Sequence, residues 1–356
     1  MCPLEDMEII KNFFKNKKVL ITGHTGFKGT WLSKILIDFG ADVTGYSLSP
    51  LMKENLFNIS KVEKEINSVI GDVRDLTKMQ KVFSEVNPEI VFHLAAQPLV
   101  RESYKNPIYT FETNIMGTVN VLECVRKSDS VKSFLNITTD KVYYNNEWEW
   151  GYRENERLEG FDPYSNSKSC SELVTHSYKN SFFSDTNVAI STARAGNVIG
   201  GGDFSVDRII PDCVRAGLNQ KEIIVRNPNS IRPYQHVLEP LNAYLQIIKK
   251  QYEDIKYSDS YNVGPNEDDC ITTSQLVTRF CEIWGEGLKW RSEFDNGPHE
   301  SSFLKLDCSK IKRTLNWKPH WNIDEALKKT IDWTKCYRSN ADVEKCMTTQ
   351  IKEFFN

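Results

Sequence analysis

The chain has 356 residues, 40% of them apolar and 26% charged, the make-up of a globular protein long enough for two domains or for one with a large elaboration. A formal net charge of -3 supplies no general positive field for a polyanion, so nucleic-acid binding is not expected. The cysteines, 9 in number, are scattered from Cys2 to Cys346 without a CxxC pair, and no run approaches the ~20 apolar residues that span a bilayer. Free thiols, no metal, no membrane contact and a cytoplasmic setting are therefore the expectation.

Met1 to Asn16 mixes Glu5, Asp6, Glu8, Lys11 and Lys15 with short apolar pairs and lacks the apolar stretch of a signal peptide. Lys18 to Thr22 (KVLIT) is a β-leaning run that ends in the turn Gly23-His24-Thr25-Gly26-Phe27-Lys28-Gly29, after which Trp31, Leu32, Ile35, Leu36 and Phe39 recur at helical spacing. Ala41 to Tyr46 reads as the next strand. Strand-like Asn67 to Gly71, helical Lys78 to Val86, strand Glu89 to Ala95, helix Thr113 to Arg126 and strands Ser133 to Thr138 and Ala189 to Ala195 follow. Such alternation predicts an α/β fold of the Rossmann type, a doubly wound parallel sheet covered by helices on both faces. Regularity fades after Ile199. We expect residues 1–198 to form a dinucleotide-binding domain to which 235–263 return. Residues 199–234 and 264–330 would form a smaller, partly interleaved C-terminal substrate lobe and 331–356 a C-terminal helix and tail, with the charged stretch Asn340 to Asn356 expected as a surface helix.

Glycines three apart between a strand and a helix let the backbone turn sharply and approach a pyrophosphate at the helix N-terminus. Gly71-Asp72-Val73 after the third strand offers Asp72 either to an adenine amino group or simply as a helix cap. Leu94, Ala95, Ala96 and Gln97 after the fourth give small residues where a cofactor passes closely. The second strand ends in Tyr46-Ser47-Leu48 with neither an acid nor a basic cluster, so spacing leaves NAD and NADP both open. Lys28, inside the glycine turn, is placed to touch a phosphate.

Tyr164 and Lys168 lie four apart in a helical segment and face one way. A phenol near pKa 10 is a poor base until nearby positive charge favours the phenolate. The pair suits hydride chemistry at a sugar carbon: Tyr164 takes the hydroxyl proton while Lys168 lowers the tyrosine pKa and fixes the cofactor ribose. His93 is expected to pack at its strand end.

The segments HTGFKG (His24 to Gly29), HLAAQPLVRESY (His93 to Tyr104), TTDKVYYN (Thr138 to Asn145), GYRENERLEGFDPYSNSK (Gly151 to Lys168), ARAGNVIGGGDF (Ala193 to Phe204), IRPYQHVLEPL (Ile231 to Leu241) and LKLDCSK (Leu304 to Lys310) together resemble the CDP-glucose 4,6-dehydratases, extended short-chain dehydrogenases/reductases. The resemblance implies NAD as cofactor and a nucleotide sugar as substrate. It implies that Thr139, Tyr164 and Lys168 form the hydride-transfer trio and that Asp140 is the acid for a departing carbon 6 hydroxyl. Lys141 stands where related dehydratases carry a glutamate base. It further assigns Asn197, Arg208 and Arg232 to the sugar nucleotide, with Arg232 at its pyrophosphate, places His299 and Glu300 in a stretch typical of the cytidine-linked members that reads either as a substrate contact or as a solvated loop, and implies a homodimer or higher homo-oligomer formed through the helix that carries Tyr164. Two other functions use the same turn: a 4-epimerase, which needs no dedicated acid like Asp140, and a non-catalytic cofactor-binding sensor, which would lack the Tyr164/Lys168 pair.

Overall fold

The computed structural model describes residues 3–50, 52–293 and 302–355. Seven parallel strands form one sheet: β1 (Lys18–Thr22), β2 (Asp42–Ser47), β3 (Asn67–Ile70), β4 (Ile90–His93), β5 (Ser133–Thr139), β6 (Ala189–Ala195) and β7 (Ser260–Val263), in the spatial order β7-β6-β5-β4-β1-β2-β3. Every residue of β4, β5 and β6 is buried, polar ones such as Asn136, Thr192 and Arg194 included, as expected of parallel strands covered on both faces. Successive side chains still feed opposite faces. On β1, Val19 and Ile21 join one core with Trp31, Ile35 and Leu241, whereas Leu20 joins the other with Phe83, Val121 and Phe134.

The chain order reverses between β1 and β4, which pair in the register Val19↔Ile90 to Thr22↔His93, so their C-terminal ends lie level. Two helix-bearing crossovers diverge there and leave a crevice above the strand ends, the position where sheets of this kind bind ligands. The turn at 23–29 and the segment 94–97 flank that crevice. The helix predicted from Thr113 begins as a π-turn, Glu112–Met116, and continues as an α-helix over Gly117–Arg126. Asn114 within the π-turn bonds both the amide and the carbonyl of Gln97, drawing the helix start toward the crevice.

A third core gathers Ile210, Ile223, Val225, Ile271, Phe280, Trp284 and Leu327 into a smaller lobe edged by two-stranded pairs. The chain leaves this lobe at Val237. The helix Leu238–Glu253 buries Leu241, Tyr244, Leu245 and Ile248 under the main sheet, and β7 then extends that sheet beside β6. The lobes are thus interleaved along the sequence.

One expectation needs correcting. The tail is a helix, Val343–Phe355, but not a surface one: Val343, Met347, Ile351, Phe354 and Phe355 are buried in the main core, where Phe355 meets Phe39 with ring centroids 5.3 Å apart. Apolar residues four and eight apart give it a face that the high charge content hides. The N-terminal segment also folds, as the helix Pro3–Phe14, with Ile10 and Phe14 in the same core.

Candidate active site

Gly23 adopts φ +79°, and a Cβ there would stand 2.7 Å from the Ala95 amide nitrogen; at Gly29 it would stand 2.1 Å from the Gly23 carbonyl. No side chain fits at either place, so the turn holds β1 and β4 close while the helix Phe27–Asp38 starts at Gly26 with no capping side chain. Its first amides therefore face the crevice as anion donors. Thr25 is not among the free groups: its hydroxyl bonds Ser47 Oγ at 2.9 Å and Leu48 O at 3.0 Å, tying the turn to the end of β2. Phe27 lies against the Gly200 backbone.

Asp72 is held by its neighbour. Its carboxylate accepts from Arg74 Nη2 at 2.7 Å and from the Arg74 amide at 2.9 Å, and the guanidinium keeps it below the usual carboxylate range. Val73 packs beneath, against Gly117. Leu94, Ala95 and Ala96 are half-buried along the crevice, but Gln97 spends its side chain on the turn itself, bonding Leu99 O at 3.1 Å, Leu99 N at 2.6 Å and Thr110 Oγ1 at 2.9 Å. His93 is buried between Thr22 Oγ1 (2.7 Å) and Thr118 Oγ1 (3.2 Å), and burial lowers it to about 3.

The helix Pro163–Phe182 is well started: Asp162 caps it by accepting from the Ser165 amide at 3.0 Å, and proline occupies its first turn. That start brings the Tyr164 phenol to the end of β5, where Thr139 and Asp140 both bear on it, Thr139 favouring the phenolate and Asp140 opposing it. The Thr139 hydroxyl donates in turn to Asp140 Oδ1 at 3.0 Å. Phenol, hydroxyl and carboxyl therefore gather at one strand end. Asp140 is 1% exposed, and its Oδ2 has no hydrogen-bond partner. Burial pushes its pKa up, against the charges of Lys141, Arg232 and Lys28. Lys168 donates from Nζ to Ile137 O at 3.1 Å, and burial pulls it down to about 8.

Three basic side chains complete the cluster, Lys28, Arg208 and Arg232. Burial, with repulsion from Arg208 and Lys168, pulls Lys28 down to about 7. Burial raises Tyr164 to about 12, and Arg208 is the strongest influence the other way, ahead of Thr139. Arg208 itself stands 3.6 Å from Asp203. Arg232 is buried, donates to the Ile231 carbonyl at 2.8 Å and bears on Asp140, and Asn197 is half-buried where β6 ends, its carbonyl bonded by the Gln235 amide at 3.0 Å. His299 and Glu300 lie outside the described residues. The chain just beyond them runs beside the Arg232 strand, held by Glu147, whose carboxylate accepts from the Ser302 and Phe303 amides at 2.9 Å.

The cluster thus brings together Lys28, Thr139, Asp140, Tyr164, Lys168, Arg208 and Arg232 and leaves Thr25, Asp72 and Gln97 engaged elsewhere. Sequence reasoning passed over Glu172, although it continues the four-residue spacing of Tyr164 and Lys168. It also passed over His24, whose ring covers Gly45: a Cβ there would meet His24 Cγ at 2.2 Å.

The site can move protons at two points, the phenol and the buried carboxyl, beside a turn suited to a pyrophosphate. Known proteins agree with that picture. The CDP-glucose 4,6-dehydratase of Salmonella typhimurium is 47% identical over 354 residues, 98% of this chain and 99% of that enzyme. An epimerase from Methanothermobacter thermautotrophicus has the same fold at TM-score 0.84 and 22% identity, covering 96% of this chain and 98% of that one. The dTDP-glucose 4,6-dehydratase of Bacillus anthracis, solved in complex with NAD, matches at TM-score 0.75 and 20% identity over 91% and 98% of the two chains. The family model described as GDP-mannose 4,6 dehydratase matches residues 20–330, and the chain belongs to that family.

Proposed function

We propose that the protein is a nucleotide-sugar 4,6-dehydratase that turns CDP-glucose into CDP-4-keto-6-deoxyglucose, with NAD as its cofactor. One observation carries the reading. A second proton-transfer group, the buried Asp140, which accepts from Thr139 through Oδ1 and has no partner at Oδ2, lies close enough to bear on the Tyr164 phenol. Oxidation at carbon 4 needs the phenol alone; elimination needs an acid as well.

The residues fit a dinucleotide, because the Gly23 and Gly29 backbone leaves room for no side chain and the helix amides behind Gly26 lack a cap. Gly23, Gly26, Phe27, Lys28 and Gly29 would hold its pyrophosphate, Leu94 to Ala96 its flank and Lys168 its ribose. When bound, NAD supplies a hydride acceptor that can give the hydride back. Tyr164 takes the carbon 4 hydroxyl proton, and positive charge from Arg208 favours the phenolate that buried surroundings disfavour. Once carbon 4 is a ketone, the carbon 5 hydrogen is acidic. Lys141 accepts it while Asp140, held protonated by burial, hands a proton to the departing carbon 6 hydroxyl. Moving one proton between Lys141 and Asp140 leaves total charge unchanged, so the two forms are tautomers. Arg232 and Asn197 hold the sugar nucleotide, Arg232 by paired hydrogen bonds to phosphate oxygens.

The cytidine preference draws its support from the 47% identity to the Salmonella enzyme. NAD draws support from the cofactor bound in the Bacillus anthracis dehydratase of the same fold. We also infer a homodimer through the Tyr164 helix, supported by exposed apolar side chains there and on adjoining helical turns, Leu173, Ile108 and Met116. A cytoplasmic location fits eight described cysteines that are all free thiols, and among the described residues no helix is long and apolar enough to cross a membrane.

The test is CDP-glucose carrying deuterium at carbon 4. The expected product carries that deuterium at carbon 6 of the same molecule, with no steady build-up of NADH. Inversion at carbon 4 with the carbon 6 hydroxyl kept would select an epimerase, and stoichiometric NADH a simple dehydrogenase. Equal specificity constants for CDP- and dTDP-glucose would remove the cytidine assignment.

A further inference from the structure

Tyr164, Lys168 and Glu172 follow one another at four-residue intervals on the Pro163–Phe182 helix and form one stripe against the sheet. The first two border the reaction site. Glu172 lies one turn deeper and is 2% exposed. Both its oxygens are held: Oε1 accepts from the Thr138 hydroxyl, and Oε2 accepts from Thr192 Oγ1 at 2.7 Å and Arg194 Nη2 at 2.9 Å. Arg194 also donates through Nη1 to Tyr143 Oη at 2.8 Å and to Glu154 O at 2.9 Å, and Tyr143 donates to Asn262 Oδ1 at 2.6 Å. This clamp joins β5, β6, β7 and the helix. Its Thr138 immediately precedes Thr139 and Asp140.

Lys168 has a poorer partner. A neutral carbonyl at 3.1 Å does little to compensate an ammonium that is 3% exposed, and burial favours the neutral amine, with Glu172 acting in the opposite direction. The other titratable groups that face Lys168 are Tyr164 on its own helix, Lys28 from the glycine turn, whose like charge repels it, and His93 on β4, which burial holds neutral. Glu172 is the anion that bears on it.

We propose that Glu172 is a positioning residue that keeps Lys168 cationic and fixes the Thr138–Asp140 strand end, so that one buried carboxylate sets both the ribose-holding lysine and the acid. The inference rests on the NAD-dependent reading above. Glu172→Gln preserves the shape and removes the charge. The cationic form of Lys168 is present below its pKa and lost as pH rises, so without Glu172 it is lost at lower pH. The alkaline limb of NAD affinity, read by calorimetry, and that of kcat/KM should both move down by about one pH unit, giving about tenfold weaker binding near pH 8.5 and little change near pH 6.5. Glu172→Asp keeps the charge and should restore the limb. Arg194→Lys keeps the carboxylate and should lower thermal stability without moving the limb. A limb that stays in place in Glu172→Gln, with binding and kcat/KM lowered by one factor at both pH values, would overturn the proposal. Should Glu172→Gln not fold, Glu172→Gln combined with Arg194→Met removes both charges of the pair and is judged by the same limb. A parent protein that binds no NAD at either pH would instead overturn the cofactor reading, which separates the two failures.

Discussion

Two clusters of buried polar side chains lie a helical turn apart, and they are built in opposite ways. In the deeper one, Glu172 and Arg194 are 2% and 3% exposed at the side chain and form an ion pair at 2.9 Å, with hydroxyls of Thr138, Thr192 and Tyr143 around them. Of the polar atoms of this pair, only Arg194 Nε lacks a partner. In the shallower one, at the strand ends, four groups are pushed toward their neutral forms: Asp140 and Tyr164 upward, Lys28 and Lys168 downward. Burial alone does not separate them; partners do. Charges matched within the fold hold the fold together, whereas the groups that burial drives toward neutrality at the crevice are placed to meet groups that arrive with ligand, and the chain carries them at a cost in stability.

The comparison breaks first at Tyr164. Tyr164→Phe should lower turnover by about 10²- to 10⁴-fold with no fall in thermal midpoint. A large fall in midpoint would move the phenol into the structural cluster. The converse holds for Arg194→Met, which strands the Glu172 carboxylate: urea unfolding should show a loss of about 3–5 kcal/mol. A loss no larger than that of a surface substitution would show the deeper cluster to be dispensable.

Asp140→Asn sharpens the contrast because it should act in both directions, abolishing loss of water while raising stability by roughly 0.5–2 kcal/mol. The folded-state pKa of Asp140 is raised, so its contribution is fully present below the usual carboxylate range and lost as pH rises through the folded value. The advantage of asparagine should therefore grow with pH, which unfolding curves at several pH values would reveal; a constant or shrinking gap contradicts it. The smallest effect on catalysis belongs to Glu239. It is fully buried, accepts from the His320 and Trp321 amides at 2.9 and 2.6 Å, and burial pushes it up to about 8, yet it lies at the seam between the lobes. The stability it contributes is present below its unfolded value and lost as pH rises through about 8. Glu239→Gln should remove a slope of up to about 1.4 kcal/mol per pH unit and leave turnover unchanged. A loss of turnover would mean that a suppressed charge anywhere in this chain marks the reaction site.

The sheet and glycine turn were legible because their signals are local. Periodicity of two or 3.6 residues, a strand ending in spaced glycines, and a tyrosine four residues before a lysine each need only a short window. Tertiary pairing is not local. Arg194 reaches Glu172 across 22 residues, and nothing near either announces a buried ion pair. Asp72 was offered to adenine, but Arg74 two residues on holds its carboxylate. Arg208 could be placed near substrate by resemblance, yet its influence on the Tyr164 phenol needs the fold of 199–208 to bring it back over β5. The tail shows the limit of composition: its charges read as solvent-facing, while Val343, Met347, Ile351 and Phe354 along one stripe bind it to the main core.

That tail has a consequence for the making of the protein. The core that begins at Ile10 and Phe39 is sealed by Phe354 and Phe355. At roughly 5–20 residues per second of synthesis, about 15–60 s pass between the two. Throughout that interval the growing chain presents an apolar face whose cover has yet to be made. Such a face is a binding surface for chaperones that work at the ribosome, and the yield of folded protein should depend on their supply more than the finished fold's stability would suggest.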